Sequence, residues 1–115
     1  MSEFPTTIAN RTAVVTLPRR VCADNAPQLL TLADTLLACD CQVIILDLAA
    51  TEAIDSTALG AVVRIYKSLR AREGSLLLAE VQRPIERLLA ITRLNSVLAR
   101  FGSVAAAIAH PRRAA

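Results

Sequence analysis

Tryptophan is absent from this chain of 115 residues, and several other residue types are scarce: three glycines, one histidine, two phenylalanines and one tyrosine. With so little glycine there is no Gly-x-x-x-x-Gly-Lys loop to cradle the phosphates of a nucleotide. The single histidine, His110, leaves conventional histidine-based acid–base chemistry poorly supplied. Phe4, Tyr66 and Phe101 are scattered singly and build no stacking platform, so the excess of positive charge is a weak pointer to nucleic acid. That excess is small: the net charge of +3 includes Arg112 and Arg113 beyond Pro111, and without them eleven Lys and Arg face ten acids, leaving +1.

The cysteines are equally unpromising as ligands. Cys22, Cys39 and Cys41 are odd in number, and Cys39-Asp40-Cys41 has one intervening residue where zinc pairs usually have two to four. No second Cys or His pair exists, so the three read as reduced structural thiols, with neither metal nor cofactor expected. Long apolar runs are missing too: Val43-Ile44-Ile45-Leu46 stops at Asp47, far short of a membrane span. Met1 to Pro5 has neither a basic start nor a following apolar stretch, which points to a cytoplasmic protein without direct membrane insertion.

What the sequence does have is apolar bulk. At 54% hydrophobic, a chain of this length buries about two-thirds of its unfolded surface and needs no staple. One domain is expected over residues 6–110, with residues 1–5 and 111–115 as flexible ends. Thr6-Ile8 and Ala13-Leu17, separated by Asn10-Arg11, read as a hairpin ended by Pro18. Asp24 and Asn25 are cap-type residues before Pro27, and leucines at helical spacing predict a first helix to about Ala38. Val43 to Leu48 is apolar on both faces, as a strand buried from two sides is.

A second helix is predicted from Ala58 to about Arg72, with Leu59, Val62, Val63, Tyr66 and Leu69 inward and Arg64, Lys67, Arg70 and Arg72 outside, Gly74 closing it. Ser75 to Glu80 reads as a strand. Gln82 to Leu89 begins a third helix, with Leu88, Leu89 and Ile91 inward. A short extended piece near Leu98 to Phe101 and a helix from Val104 to Ala109 complete an α/β alternation.

One stretch carries candidate chemistry. Asp55-Ser56-Thr57-Ala58-Leu59-Gly60 follows a polar link and opens a helix, placing three side-chain oxygen groups where backbone N–H groups have no partner within the helix. Ordinary capping by Asp55 or Ser56 explains that spacing, at about 1 kcal/mol. A modifiable site explains it as well, because a helix N-terminus carries roughly half a positive charge and accommodates a phosphoryl group of about −1.5 to −2.

From Val43 through Asp47-Leu48-Ala49-Ala50-Thr51-Glu52-Ala53-Ile54 to Asp55-Ser56-Thr57-Ala58-Leu59-Gly60, the string resembles the signature of the STAS family, in particular its single-domain anti-sigma-factor antagonists. The likeness spans roughly Thr7 to Ala109. It implies a hairpin plus βαβ units, a small mixed sheet of four to five strands flanked by four helices. It further implies a bacterial partner-switching module that is not an enzyme. Its partner is an anti-sigma factor that is also a serine kinase of the histidine-kinase-like ATPase type, and a serine/threonine phosphatase restores it. The phosphoacceptor implied is Thr57, with Ser56 as second choice, and the partner surface gathers Asp55, Ser56, Thr57, Ala58, Leu59 and Gly60 with Arg20, Cys22 and Asp24. Family antagonists are commonly monomers.

Ala58 stands where the pattern has glycine, Thr57 where serine is commoner, and Cys22 where relatives carry an acid. Two other functions fit such a domain. One is a structural subunit of a lipid-asymmetry ABC transporter, with Thr57 against the ATPase. The other is a nucleotide binder, which the missing phosphate loop disfavours.

Overall fold

In the computed structural model, residues 4–110 are described. The chain opens with strands β1 (Thr6–Ala9) and β2 (Thr12–Thr16), paired antiparallel. The turn between them puts Asn10 and Arg11 at φ of 53° and 62°, the left-handed pair that a two-residue hairpin loop requires. Next come β3 (Arg20–Val21), α1 (Ala26–Ala38), β4 (Val43–Asp47), β5 (Ala53–Ile54) and α2 (Ser56–Arg70). β6 (Ser75–Ala79), α3 (Arg83–Ile91), a 3-10 turn at Leu94–Ser96, β7 (Ala99–Phe101) and α4 (Val104–Ala109) follow.

The main sheet runs β1-β2-β4-β6-β7, with every pair after the hairpin parallel. Each parallel step moves one strand in the same direction, so right-handed crossovers put α1, α2 and α3 on one face. There Leu29, Ala33 and Leu36 of α1, Ala61, Ile65 and Leu69 of α2 and Ile85 and Leu89 of α3 pack on Ala13, Val15, Ile44, Leu46, Leu76 and Leu78. The opposite face buries Val43, Ile45, Leu77 and Ala79 beneath Ala107 of α4, with Val14, Phe101 and Val104 at its margin. Covering from both sides is why Val43 to Leu46 of β4 are all apolar.

Several expectations need correction. On α2 the buried residues are Ala58, Ala61, Val62, Ile65 and Leu69, while Leu59, Val63 and Tyr66 are only half-buried. The helix is rotated toward its small residues, which let it sit close to α1 and the sheet. Ile91 is 80% exposed because, two residues past Leu89, it lies about 200° round α3 from the face that buries Ile85 and Leu89. Asn25 stands at the N-cap of α1 without capping it through its side chain. Its Oδ1 instead accepts from the Cys22 N–H at 2.8 Å and its Nδ2 donates to the Arg20 carbonyl at 2.9 Å, fixing the loop that enters the helix. The N-terminal tail is shorter than expected: Phe4 is buried in the core and the Pro5 carbonyl accepts from the Thr16 N–H. Residues 1–3 and 111–115, the remainder of the two expected tails, lie outside the described residues.

Gly74 follows α2, but the left-handed residue that ends the helix is Glu73, at φ 59°. Gly74 is there for space. A Cβ on it would lie 2.5 Å from the Gln42 carbonyl oxygen and 3.0 Å from a Leu69 methyl, in the seam where α2 turns into β6 beside β4. Gly74→Ala is expected to lower stability by about 1–3 kcal/mol, the usual cost of overpacking. Urea unfolding of the two proteins measures it.

Candidate functional site

The corner before α2 is assembled from two loops far apart in sequence. β3 and β5, two residues each, pair in parallel with Arg20 opposite Ala53 and Val21 opposite Ile54. Just before this pair, Thr51 is fully buried, and its hydroxyl donates to the Pro18 carbonyl at 2.9 Å. The Glu52 N–H donates to the Arg19 carbonyl at 2.8 Å, and the Asp55 N–H to the Val21 carbonyl at 3.1 Å. Outside, the Arg19 guanidinium meets the Glu52 carboxylate at 2.9 Å, with both side chains more than half exposed. Such a pair adds at most about 1 kcal/mol, so the backbone bonds carry the corner.

Asp55 finishes the work. Its backbone is extended, as an N-cap requires, and Oδ1 accepts from the Ala58 N–H at 2.8 Å, capping α2. Oδ2 accepts from the Ala23 N–H at 3.0 Å, in the other loop. One carboxylate thus fastens the start of α2 to the segment before α1. Capping falls to Asp55, and Ser56 and Thr57 are left exposed in the first turn of α2.

The β3–β5 pair brings Arg20, Cys22 and Asp24 to the same corner as Asp55, Ser56 and Thr57. Arg20 and Asp24 are exposed and Cys22 is half-buried. Ala58 shares the corner only through its backbone, because its methyl is fully buried. It has no left-handed φ, so alanine is unstrained at this position.

Leu59 and Gly60 belong to a neighbouring surface. With Ser56, Val63, Arg64, Lys67 and Leu94 they line an open groove of about 350 Å³ between the outer side of α2 and the 3-10 turn. Sequence spacing gave no sign of it, because Leu94 reaches α2 only through the tertiary fold. Ala23 and Thr51 were missed for the same reason: Thr51 acts across the two loops, and Ala23 contributes a backbone N–H that no motif encodes.

A larger cavity, about 570 Å³, lies at the carboxyl ends of β4, β6 and β7. Glu80 and Glu86 line it, and its cation, Arg100, is already paired with Glu86 at 3.0 Å. That lining is inhospitable to a polyphosphate.

Among the described residues, no three His, Cys, Asp or Glu are grouped to hold a metal ion, and no helix is long and apolar enough to cross a membrane. Cys22, Cys39 and Cys41 are free thiols. Burial pushes the Cys41 thiol above its ordinary value, with Cys39 adding to the shift and Arg11 and Arg72 opposing it.

Fold and site together define a layered α/β domain with an uncovered hydroxyl pair at a helix mouth, tied by its cap to a second loop. A family model for the STAS domain matches residues 3–107, and the chain belongs to that family.

Among solved structures, it is similar to an anti-sigma factor antagonist from Thermotoga maritima, at 27% identity over 96% of this chain and 95% of that one, with a TM-score of 0.87. The phosphorylated Bacillus cell fate determinant SpoIIAA shares the fold at 19% identity, covering 91% of this chain and 96% of that one, with a TM-score of 0.74. So does a sulfate transporter family protein from Wolinella succinogenes, at 20% identity, covering 90% of this chain and 87% of that one, with a TM-score of 0.79. No curated protein sequence matches.

Replacing Asp55 by alanine removes both acceptor oxygens at once. The expected loss is about 1–2 kcal/mol, most of it from the cap, because the exposed Ala23 N–H can turn to water. Asp55→Asn keeps one acceptor oxygen and is expected to recover part of the loss in the same urea titration.

Proposed function

We propose that this chain is an anti-sigma factor antagonist whose hold on its partner is set by phosphorylation at the mouth of α2. The observation that carries the reading is the exposure of Ser56 and Thr57 in a helix turn already capped by Asp55. Neither hydroxyl is needed to hold the helix, so either can be modified without dismantling it. The 27% identity with an anti-sigma factor antagonist over nearly the whole chain supports the same reading.

The kinase in this reading is the anti-sigma factor itself. It transfers the γ-phosphoryl group of ATP to the hydroxyl oxygen, taking up the hydroxyl proton and leaving ADP. A phosphatase hydrolyses the ester with water and returns inorganic phosphate. The domain performs no catalysis of its own.

The added group carries a charge of about −1.5 to −2, and the amide ends of α2 stabilise it in the free domain. A partner packed flat on that corner has to desolvate it, at several kcal/mol when no cation meets it. A difference of about 5.5 kcal/mol is enough to take the bound fraction from 99% to 1%.

Resemblance designates Thr57 as the acceptor, whereas Ser56 is the member of the pair that lines the groove. Incubation with the cognate anti-sigma kinase and ATP is expected to add one phosphate, mapped by mass spectrometry to this pair and absent from a Ser56→Ala, Thr57→Ala double variant. The single variants assign the oxygen. Thr57→Glu is expected to weaken kinase binding at least about tenfold. A phosphate elsewhere, or none from a kinase that binds, refutes the mechanism. Copurification with a transporter ATPase and no such kinase makes the domain a structural subunit instead.

A further inference from the structure

We infer that the groove on the outer side of α2 is the seat of an amphipathic, acidic helix of the anti-sigma partner, an inference that rests on the function proposed above. The first observation is a glycine without an internal reason. Gly60 lies inside α2, where glycine weakens a helix relative to alanine, yet a Cβ built on it meets nothing within 4 Å. Neither packing within the domain nor backbone conformation asks for glycine, since its φ is not positive. What its bare Cα does provide is an open groove floor beside Leu59 and Val63, where another backbone can come close.

The second observation is the charge along that floor. α2 contains no Asp or Glu, and its cations are Arg64, Lys67 and Arg70. Arg70 lies over the Tyr66 ring, 5.9 Å from its centroid. Arg64 and Lys67 line the groove and, like most cations among the described residues, form no ion pair; what sets them apart is that they flank its aliphatic floor.

Ser56, Gly60, Val63 and Lys67 follow one another at spacings of four, three and four, which places them on one stripe of the helix. The stripe therefore reads hydroxyl, open floor, aliphatic, cation. Its complement is a helix with aliphatic residues along one edge and carboxylates toward the far end. A concave aliphatic floor without aromatic side chains suits such a helix better than it suits nucleic acid bases or a flat bilayer. A phosphoryl group on Ser56 would stand at the near end of the groove and repel the same acidic occupant, so one charge pattern explains both attraction and release.

The test uses the kinase that phosphorylates the helix mouth, titrated by calorimetry against the unphosphorylated chain. Gly60→Ala is expected to melt at or above the wild-type temperature yet bind several-fold more weakly, opposite signs that a purely structural role cannot produce. The Arg64→Glu, Lys67→Glu pair is expected to bind at least about tenfold more weakly. Arg87→Glu, on the exposed side of α3, should bind like wild type and serves as the charge control.

If both groove variants bind like wild type while phosphate still reaches Ser56 or Thr57, the groove inference is wrong and the proposed function stands. If no kinase binds or modifies the wild-type chain, both fail. Sedimentation of the wild type with phosphatidylglycerol vesicles, lost in the Arg64→Glu, Lys67→Glu variant, assigns the groove to a lipid surface and overturns the inference.

Discussion

A single carboxylate, that of Asp55, accepts from two backbone amides that the sequence places 35 residues apart, Ala23 and Ala58. Everything at the functional corner depends on that double attachment. The cap fixes where α2 begins, and hence that Ser56 and Thr57 fall in its exposed first turn. The second bond carries the same geometry across to the loop of Arg20, Cys22 and Asp24. The β3–β5 pair and the buried Thr51 hydroxyl brace the two loops from below, so the corner is positioned by backbone bonds and is little affected by its surface charges.

This arrangement divides labour among neighbouring residues. Asp55 is structural, Ala58 is core, and the two hydroxyls between them are free for chemistry. A domain that switches by charge rather than by refolding needs such a division, because a modified residue that also held the fold would couple binding to unfolding. Around the corner α2 adds a stripe of one sign, with cations and no acids, beside an aliphatic floor. In the proposed function, a phosphoryl group at one end of that stripe would change what the whole surface attracts.

Much of this was legible in the residues. The hairpin and the doubly buried β4 follow from period and turn chemistry, since each is decided by local pattern: Asn10-Arg11 for the turn and Val43 to Leu46 for the strand. The closing α4 falls at Val104–Ala109 as expected, and the structure adds its cap, the Ser103 hydroxyl accepting from the Ala106 N–H. Errors cluster where a distant element decides. Spacing points Leu59, Val62, Val63, Tyr66 and Leu69 of α2 inward; close packing keeps Val62 and Leu69, adds Ala58, Ala61 and Ile65, and leaves Tyr66 at the rim. Asn25 is the local exception: it reads as a cap, but its side-chain amide clasps Cys22 and Arg20 of its own loop. Gly74 reads as a helix stop; its real constraint is the Gln42 carbonyl, which no local reading can see. At the site, the motif pointed to the start of α2, while β3, β5 and the groove under Leu94 needed the tertiary fold.

The central claim is that the helix mouth gains a dianion without losing its shape. Native-state hydrogen exchange, followed amide by amide on the unmodified and singly phosphorylated chain, tests it most directly. The account predicts that the Ala23 and Ala58 amides each exchange at the same rate in both forms, because Asp55 keeps hold of them. Faster exchange at either amide after phosphorylation would contradict it, showing that the modification acts by opening the corner.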